Sequence, residues 1–145
     1  ADDLVIESCD LNAIVHEAVK EYSLLFILRK LRLELEPLDK AVVSDKKWLL
    51  FIIKQLLSNA LKYTKEGGIH IYMEGRRLVI SDTGIGIPAD KQEWVFERFT
   101  KVDDFKPGTG LGLYICRIII QRLGGQIRID TGYTSGCKMV VTLPV

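Results

Sequence analysis

Four polar side chains recur at helical spacing within an apolar stretch from about residue 46 to residue 64. They are Gln55, Asn59, Lys62 and Tyr63. Wound as a helix, they fall within a sector of roughly 100°, and apolar residues fill the other side. Because asparagine is intrinsically unfavourable at mid-helix, Asn59 needs a partner such as a metal ion, a phosphate or a buried polar group. On the helix alone, a solvated face is an equally good interpretation.

A carboxylate follows a predicted buried strand. Leu78-Val79-Ile80 leads into Asp82, and Gly84 and Gly86 come next. Polar groups at strand ends often line a pocket, and an ionised carboxylate accepts hydrogen bonds but donates none. The glycines let a ligand approach the backbone closely. The alternative is an ordinary surface turn, since Asp-Thr-Gly is a good turn sequence.

Alternating glycines precede a predicted apolar helix. Residues 107–113 read Pro-Gly-Thr-Gly-Leu-Gly-Leu. Free backbone N–H groups beside a helix N-terminus form a cradle that suits phosphate groups. The segment is not the dinucleotide-binding fingerprint, because Leu113 stands where that pattern needs its last glycine, and no P-loop sequence occurs in the chain.

Helices and strands must hold these segments together, and their predicted order is irregular. The predicted helices follow Asp10, run from about 46 to 64 up to Gly67-Gly68, form a short piece near 90–99, and run from 114 to 123. The predicted strands cover residues 31–35, 41–43, 69–73, 78–80, 126–131 and 137–143. Without regular βαβ alternation, the pattern favours an α+β fold. We expect a two-layer α/β sandwich, with one mixed, mostly antiparallel sheet and helices on one face.

Length and composition suit a single domain, residues 1–145. A net charge of +1 without a basic run argues against nucleic-acid binding. The longest apolar run, residues 48–53, is far shorter than the roughly 20 residues that span a bilayer. Three widely spaced cysteines indicate free thiols in a reducing compartment rather than a disulfide framework or a zinc site. Because the chain begins at Ala1, we expect it to be a piece of a longer protein.

Together and in this order, the motifs resemble the nucleotide-binding boxes of sensor histidine kinases. Asn59 with Lys62-Tyr63-Thr64 resembles the N box, residues 82–88 the G1 box, Phe96-Glu97-Arg98-Phe99 the F box, and residues 108–113 the G2 box. The resemblance covers essentially the whole chain. It identifies the chain as a member of the ATP-binding catalytic domains of bacterial two-component systems, which have the Bergerat fold.

The resemblance implies that the chain binds Mg-ATP and transfers the γ-phosphoryl group to a histidine. Asn59 would hold Mg²⁺, for which an amide oxygen is a suitable hard ligand. Lys62 would face phosphate and Tyr63 would pack near adenine. Asp82 would accept a hydrogen bond from the adenine amino group.

The glycine boxes supply the other nucleotide-binding residues that the resemblance implies. Gly84 and Gly86 would shape the base pocket, and an ATP lid would span about residues 90–107. Backbone N–H groups would bind the phosphates at Thr109, Gly110, Leu111 and Gly112. The resemblance also places Ile87, Phe99, Gly108 and Leu113 in the nucleotide site.

Two residues depart from the family pattern. Gln55 stands where these kinases commonly have asparagine, and Thr100-Lys101 stands where Tyr-Arg often follows the F box. Lys101, which we group with Asn59 and Lys62 as catalytic, keeps the positive charge but lacks the bidentate geometry of arginine. These changes bear on the details of Mg²⁺ and γ-phosphate contacts.

The histidine that receives the phosphoryl group in this family lies in a preceding helical hairpin. His16-Glu17 lacks the proline that typically follows that motif, so we interpret His16 as structural and His70 as a strand residue on a wet face. The expected partners are therefore a dimerisation and phosphoacceptor domain of the same parent protein, and a response regulator. We expect a cytoplasmic domain without membrane contact, in a parent anchored in the inner or cell membrane.

Three alternatives remain open. An ATP hydrolase of the same fold would need a general base at position 55, where Gln55 cannot accept a proton from water at neutral pH. A nucleotide-binding regulator without phosphoryl transfer is compatible with Gln55 and Lys101, although the intact glycine boxes argue against it. A related anti-sigma-factor serine kinase is disfavoured by the F box and by the length of the lid.

Overall fold

The computed structural model describes residues 4–97 and 112–144. Three helices occur there: α1 (Leu11–Leu28), α2 (Lys46–Tyr63) and α3 (Gly112–Arg122). The strands are β1 (Glu7–Asp10), β2 (Arg32–Leu35), β3 (Ala41–Ser44), β4 (Gly68–Glu74), β5 (Arg77–Asp82), β6 (Gln126–Ile129) and β7 (Lys138–Thr142). Two short 3₁₀ turns lie at Ala89–Lys91 and Trp94–Phe96.

The two long helices begin at aspartate caps, as the sequence predicts. The Asp10 carboxylate accepts a hydrogen bond from the Ala13 N–H (3.2 Å), and the Asp45 carboxylate accepts one from the Trp48 N–H (3.1 Å). Each cap provides an acceptor for one of the helix's first N–H groups, which lack partners within the helix. Buried residues of both helices belong to one hydrophobic core.

The main sheet has five strands in the order β2-β4-β5-β7-β6. β2 pairs with β4 in parallel, and the other pairs are antiparallel. Buried side chains from all three helices and from one face of this sheet form one core. The predicted α+β sandwich with a mixed, mostly antiparallel sheet is confirmed.

The opposite face of the main sheet carries polar and aromatic side chains. His70 and Tyr72 stack there with ring centroids 4.4 Å apart, and His70 pairs with Glu36. A concavity of about 270 Å³ opens on this face, beside Tyr133. His70 thus lies on a half-exposed strand face, as predicted.

Besides shifts of a few residues at the ends of other elements, three features differ from the sequence-based expectation. β1 was not predicted, because its burial follows no clean alternation; it pairs with β3 in a separate two-stranded sheet. α2 ends at Tyr63 with an extended Thr64, so glycine does not terminate it, and Gly68 already belongs to β4. The helical piece expected near 90–99 appears, as far as residue 97, as the two 3₁₀ turns.

Candidate functional site

The C-terminal end of α2 packs against the loop that follows β5. The backbone carbonyl of Tyr63 accepts a hydrogen bond from the Ile85 N–H at 3.2 Å. A Cβ atom at Gly84 would lie only 2.3 Å from the same carbonyl oxygen, so this approach requires glycine. Two motifs far apart in sequence, the N box and the G1 box, therefore meet at this point.

Asp82 closes β5 and is only 6% exposed. Its Oδ1 accepts hydrogen bonds from the backbone N–H groups of Gly84 (2.8 Å) and Cys137 (3.2 Å). Burial raises the pKa of the carboxyl group above its ordinary value, and the two backbone hydrogen bonds oppose that shift. The two backbone donors fix the orientation of the carboxylate, and its second oxygen remains able to accept from another group.

The loop between β6 and β7 holds the opposite side of Asp82. The Tyr133 hydroxyl donates a hydrogen bond to the Asp82 backbone carbonyl at 2.9 Å. A Cβ at Gly136 would lie 2.0 Å from that carbonyl oxygen. Sequence reasoning gave these two residues and Cys137 no role in a site. It read residues 132–136 only as a glycine-rich turn and Cys137 only as the start of the strand predicted over 137–143.

Cys137 contributes its backbone to the site rather than a reactive thiol. Burial, together with the nearby Asp82 charge, raises the pKa of its thiol to about 12. The thiol therefore stays protonated near neutral pH. Cys9, Cys116 and Cys137 are all free, as predicted.

Thr64 supplies a buried polar group that sequence reasoning gave no role. Its side chain is fully buried, and the hydroxyl lacks a well-formed hydrogen bond with any described residue. It lies close enough to the Asp82 carboxyl group to help lower that group's pKa. Its position directly after Tyr63 in the N box was the available signal.

The other end of the polar face of α2 reaches the start of α3. Gln55 Oε1 would lie 2.7 Å from a Cβ atom placed on Gly112. Gln55 and Tyr63 are separated by about 12 Å along the helix axis. The polar face of α2 thus runs from the G1 loop to the start of α3, which begins at Gly112 within the G2 box.

Asn59 and Lys62 lie between these two ends and are half-buried. No hydrogen bond or ion pair joins either side chain to another residue in the part of the chain that the structure describes. The same part contains no group of three or more His, Cys, Asp or Glu side chains that could hold a metal ion. Mg²⁺ does not require such a group, because it commonly binds one or two protein ligands together with substrate phosphates and water. A half-buried Asn59 amide oxygen fits that role.

The first part of the predicted lid is attached to α3. The Arg117 guanidinium lies 4.2 Å from the centre of the Phe96 ring and donates to the Glu93 carboxylate at 2.8 Å. This ion pair lowers the pKa of Glu93. Phe96 is buried in the core, so the first F-box phenylalanine anchors the segment.

The remaining predicted site residues divide into two groups. Gly86 has a φ of 72°, which favours glycine, and Ile87 packs partly buried against the core. Gly112 and Leu113 form the first turn of α3. The other predicted residues lie outside the described residues: Phe99, Lys101, Gly108, Thr109, Gly110 and Leu111.

Comparison with known proteins agrees with this geometry. Residues 44–145 match the family described as histidine kinase-, DNA gyrase B-, and HSP90-like ATPase. The matched residues include α2, β5 and α3, which surround the candidate site. The chain belongs to this family. It is a histidine kinase-type ATPase domain, as the motifs predicted.

Three similar proteins illustrate the match. The alginate biosynthesis sensor protein KinB of Pseudomonas aeruginosa is 34% identical over 150 residues, covering 98% of this chain and 25% of KinB. The solved structure of the mycobacterial sensor histidine kinase MprB has a TM-score of 0.80 and 27% identity, covering 97% of both chains. Full-length ShkA in complex with AMPPNP has a TM-score of 0.83 over 99% of this chain and 32% of ShkA, and at 24% identity it shows the fold alone.

The chain spans between a quarter and just under half of the length of the curated relatives it matches. The histidine kinase-type domain is therefore shared, whereas the other parts of those relatives lie outside the comparison. None of the helices in residues 4–97 and 112–144 has the length and hydropathy to cross a membrane.

Proposed function

We propose that this domain binds Mg-ATP and transfers its γ-phosphoryl group to a histidine on a separate dimerisation domain of the parent sensor kinase, for relay to a response regulator. The observation that carries the proposal is the environment of Asp82. A buried carboxylate is held by two backbone N–H groups, with the buried Thr64 hydroxyl beside it. That arrangement suits an amino-bearing base.

Asp82 selects adenine over guanine in this proposal. An ionised carboxylate accepts a hydrogen bond from the exocyclic amino group of adenine, and it repels the carbonyl oxygen that guanine has at the same position. A hydrogen bond to a charged group contributes about 1.5–3 kcal/mol. Gly84 and Gly86 leave room for the base beside the backbone, and Ile87 and Tyr63 provide apolar surface for it.

The phosphates of ATP would lie along the polar face of α2. Lys62 faces the phosphates, and Asn59 holds the Mg²⁺ ion through its amide oxygen. When bound, Mg²⁺ supplies charge neutralisation at the phosphate oxygens. Gly108, Thr109, Gly110, Leu111 and Gly112 would contribute backbone N–H groups, and Lys101 and Phe99 would act from the lid, residues 90–107.

The chemical step is an in-line displacement. A histidine nitrogen of the partner domain attacks the γ-phosphorus, the bond from that phosphorus to the β–γ bridging oxygen breaks, and ADP leaves. Phosphoryl transfer depends on positioning and charge stabilisation more than on covalent help from the protein. The acceptor must come from elsewhere in the parent protein. His16 is bonded to the Asn12 carbonyl on α1, and His70 lies on the open sheet face.

A specific observation favours transfer over hydrolysis. Gln55 occupies the position at which a hydrolase of this fold needs a carboxylate base, and it lies beside Gly112 at the start of α3. An amide cannot remove a proton from water at neutral pH. A regulator that binds nucleotide without transferring phosphate remains the second candidate, because Gln55 and Lys101 both depart from the family pattern.

The assignment of the whole chain, residues 1–145, as one catalytic and ATP-binding domain belongs to this proposal. The continuous core that joins α1 to the matched residues 44–145 supports it. The names of the relatives support the partners, since sensor kinases act in two-component systems. We further propose a cytoplasmic location in a membrane-anchored parent protein.

Calorimetric titration of the domain tests nucleotide binding and metal use together. ATP and ADP should bind well ahead of GTP, and Mg²⁺ should strengthen ATP binding in the parental domain. Asn59→Ala should abolish most of that Mg²⁺-dependent gain while changing fold stability little. Equal affinities for ATP and GTP would contradict the base assignment, and an unchanged Mg²⁺ effect in Asn59→Ala would remove Asn59 as a ligand.

A further inference from the structure

The C-terminal carbonyl groups of α2 are bonded by residues from outside the helix. The last four carbonyl groups of an α-helix have no hydrogen-bond donors within the helix. A turn with glycine after the helix often provides backbone N–H groups as donors for them. Here the helix passes directly into an extended Thr64. The Tyr63 carbonyl is bonded by the G1-loop amide of Ile85. The flanking carbonyls need other donors.

Arg29 donates to the carbonyls on both sides of Tyr63. Its Nη1 donates to the Leu61 carbonyl, and its Nη2 donates to the Thr64 carbonyl at 2.9 Å. The guanidinium group is half-buried and lies at the carbonyl end of the helix dipole, where a positive charge is favourable. A planar group with several fixed donors can bind two acceptors at once, which an ammonium group does less well.

The end of α1 fixes Arg29 in position. Lys30 adopts a left-handed conformation (φ 55°), and the chain closes with hydrogen bonds from Lys30 N–H to the Ile27 carbonyl and from Leu31 N–H to the Phe26 carbonyl. This is the Schellman arrangement of a helix end. Because Phe26 and Leu31 are both buried, the turn is anchored in the core.

We propose that Arg29 is a positioning residue for nucleotide binding. It holds the segment from Leu61 to Thr64, so that Tyr63 keeps its contact with the G1 loop and Thr64 stays beside Asp82. Arg29 acts through these residues and does not touch the nucleotide. The inference rests on the proposed function, because it concerns the same nucleotide site.

Replacing Arg29 tests this role. Arg29→Met should weaken binding of both ADP and the uncharged probe adenosine about 5- to 20-fold, since ordering of the base pocket is lost for either ligand. Arg29→Lys should bind with intermediate affinity, because one ammonium group replaces two oriented donors. Arg76→Met is the matched control: it removes the same charge at the β4–β5 turn, at the opposite end of β5 from Asp82, and should bind as the parental domain does.

Two measurements distinguish a positioning role of Arg29 from a general loss of stability and from a direct effect of its charge on the nucleotide. Binding is measured at a temperature where circular dichroism shows each variant folded, and amide hydrogen exchange is followed at Ile85. If Arg29 positions the end of α2, the backbone amide of Ile85 should exchange its hydrogen faster in Arg29→Met than in the parental domain. Weaker ADP binding with unchanged adenosine binding would instead show a direct charge effect and overturn the proposal.

The remaining outcomes are also decisive. Parental affinity in Arg29→Met would overturn the proposal. If that variant does not fold, Arg29→Lys decides: parental affinity with parental Ile85 exchange would overturn the proposal, and a 2- to 5-fold loss with faster exchange would support it. A parental domain that binds neither ADP nor adenosine would contradict the proposed function instead, which distinguishes the two failures.

Discussion

At the residue scale, the proposed site centres on the Asp82 carboxylate. Burial and hydrogen bonds shift the pKa of this group in opposite directions. Burial raises the pKa of Asp82 above 3.8, and donors from Gly84 and Cys137 limit the shift. Because the folded chain binds this proton more tightly than the unfolded chain, the contribution of Asp82 to stability decreases as pH rises from the ordinary pKa through the folded pKa. The ionised form is nevertheless the one that can accept from adenine.

Asp82→Asn should separate binding from stability. The asparagine Oδ1 can still accept from both backbone donors, so the free energy of unfolding at pH 7 should stay within about 1 kcal/mol of the parental value or exceed it. ATP affinity should fall by about 10- to 100-fold, because the amide loses the charged acceptor. Calorimetry and chemical denaturation measure the two quantities.

The pH dependence provides a further check on the same residue. Parental ATP affinity should weaken as pH falls through the raised pKa of Asp82, where the carboxyl group becomes protonated. Asp82→Asn should show a flatter profile over that range. An asparagine variant with parental ATP affinity at pH 7 would show that Asp82 does not contact the base.

Thr64→Val should lower ATP affinity with little change in stability. Valine removes a buried hydroxyl whose contact with the Asp82 carboxyl group is not a well-formed hydrogen bond, so the free energy of unfolding should change by less than about 1 kcal/mol. ATP affinity should fall about 3- to 10-fold if the hydroxyl bonds to bound nucleotide. Thr142→Val, at the end of β7 away from Asp82, is the control. A stability loss with unchanged ATP affinity would indicate a purely structural threonine.

The sequence predicted some of these residues but not others. Asp82 follows an apolar strand and precedes two glycines, so its role at a pocket edge was visible in local sequence. Tyr133 and Gly136 act on the Asp82 backbone across 51 and more residues of chain. Such contacts arise from tertiary packing, which no local pattern records.

At the element scale, apolar periodicity predicted α1 and α2 well because each helix buries a continuous face. The prediction of one helical piece near 90–99 was wrong as far as residue 97, where two short 3₁₀ turns stand instead, the second of which places Val95 and Phe96 in the core. β1 was not predicted, because Cys9 is its only buried residue and a single buried residue gives no periodic pattern. Short elements therefore depend on their tertiary partners, whereas long helices carry their own signal.

Lys30→Gly should stabilise the domain. Lys30 holds a left-handed conformation that glycine adopts without steric cost, although glycine also gains freedom in the unfolded chain. The expected net gain is about 0.5–1 kcal/mol, or roughly 1–4 °C in Tm. Lys30→Ala removes the same charge without relieving the backbone and should bring no gain. Equal stabilisation by both variants, measured by thermal unfolding, would attribute the effect to charge instead.

At the scale of the whole molecule, the sheet separates a core-facing side from an open side. The helices and the G1 loop assemble the proposed nucleotide site at one end of the sheet, where β5 ends in Asp82. In the proposed function, Asp82 accepts from adenine and α2 presents a polar face to the phosphates, whereas His16 lies on α1 and His70 lies on the open face of the sheet. This arrangement predicts an ATP-binding domain that requires an acceptor from another part of the parent protein.

The most direct test uses ATP labelled at the γ-phosphate, first with the domain alone and then with the parent's histidine-bearing dimerisation domain attached. The domain alone should bind ATP and release negligible phosphate, because Gln55 cannot act as the base, a function typically worth about 10²–10⁴-fold. With the acceptor domain present, the label should appear on histidine as an acid-labile, base-stable phosphoprotein. Robust hydrolysis by the domain alone, or tight ATP binding with no label transferred to histidine, would contradict the kinase assignment.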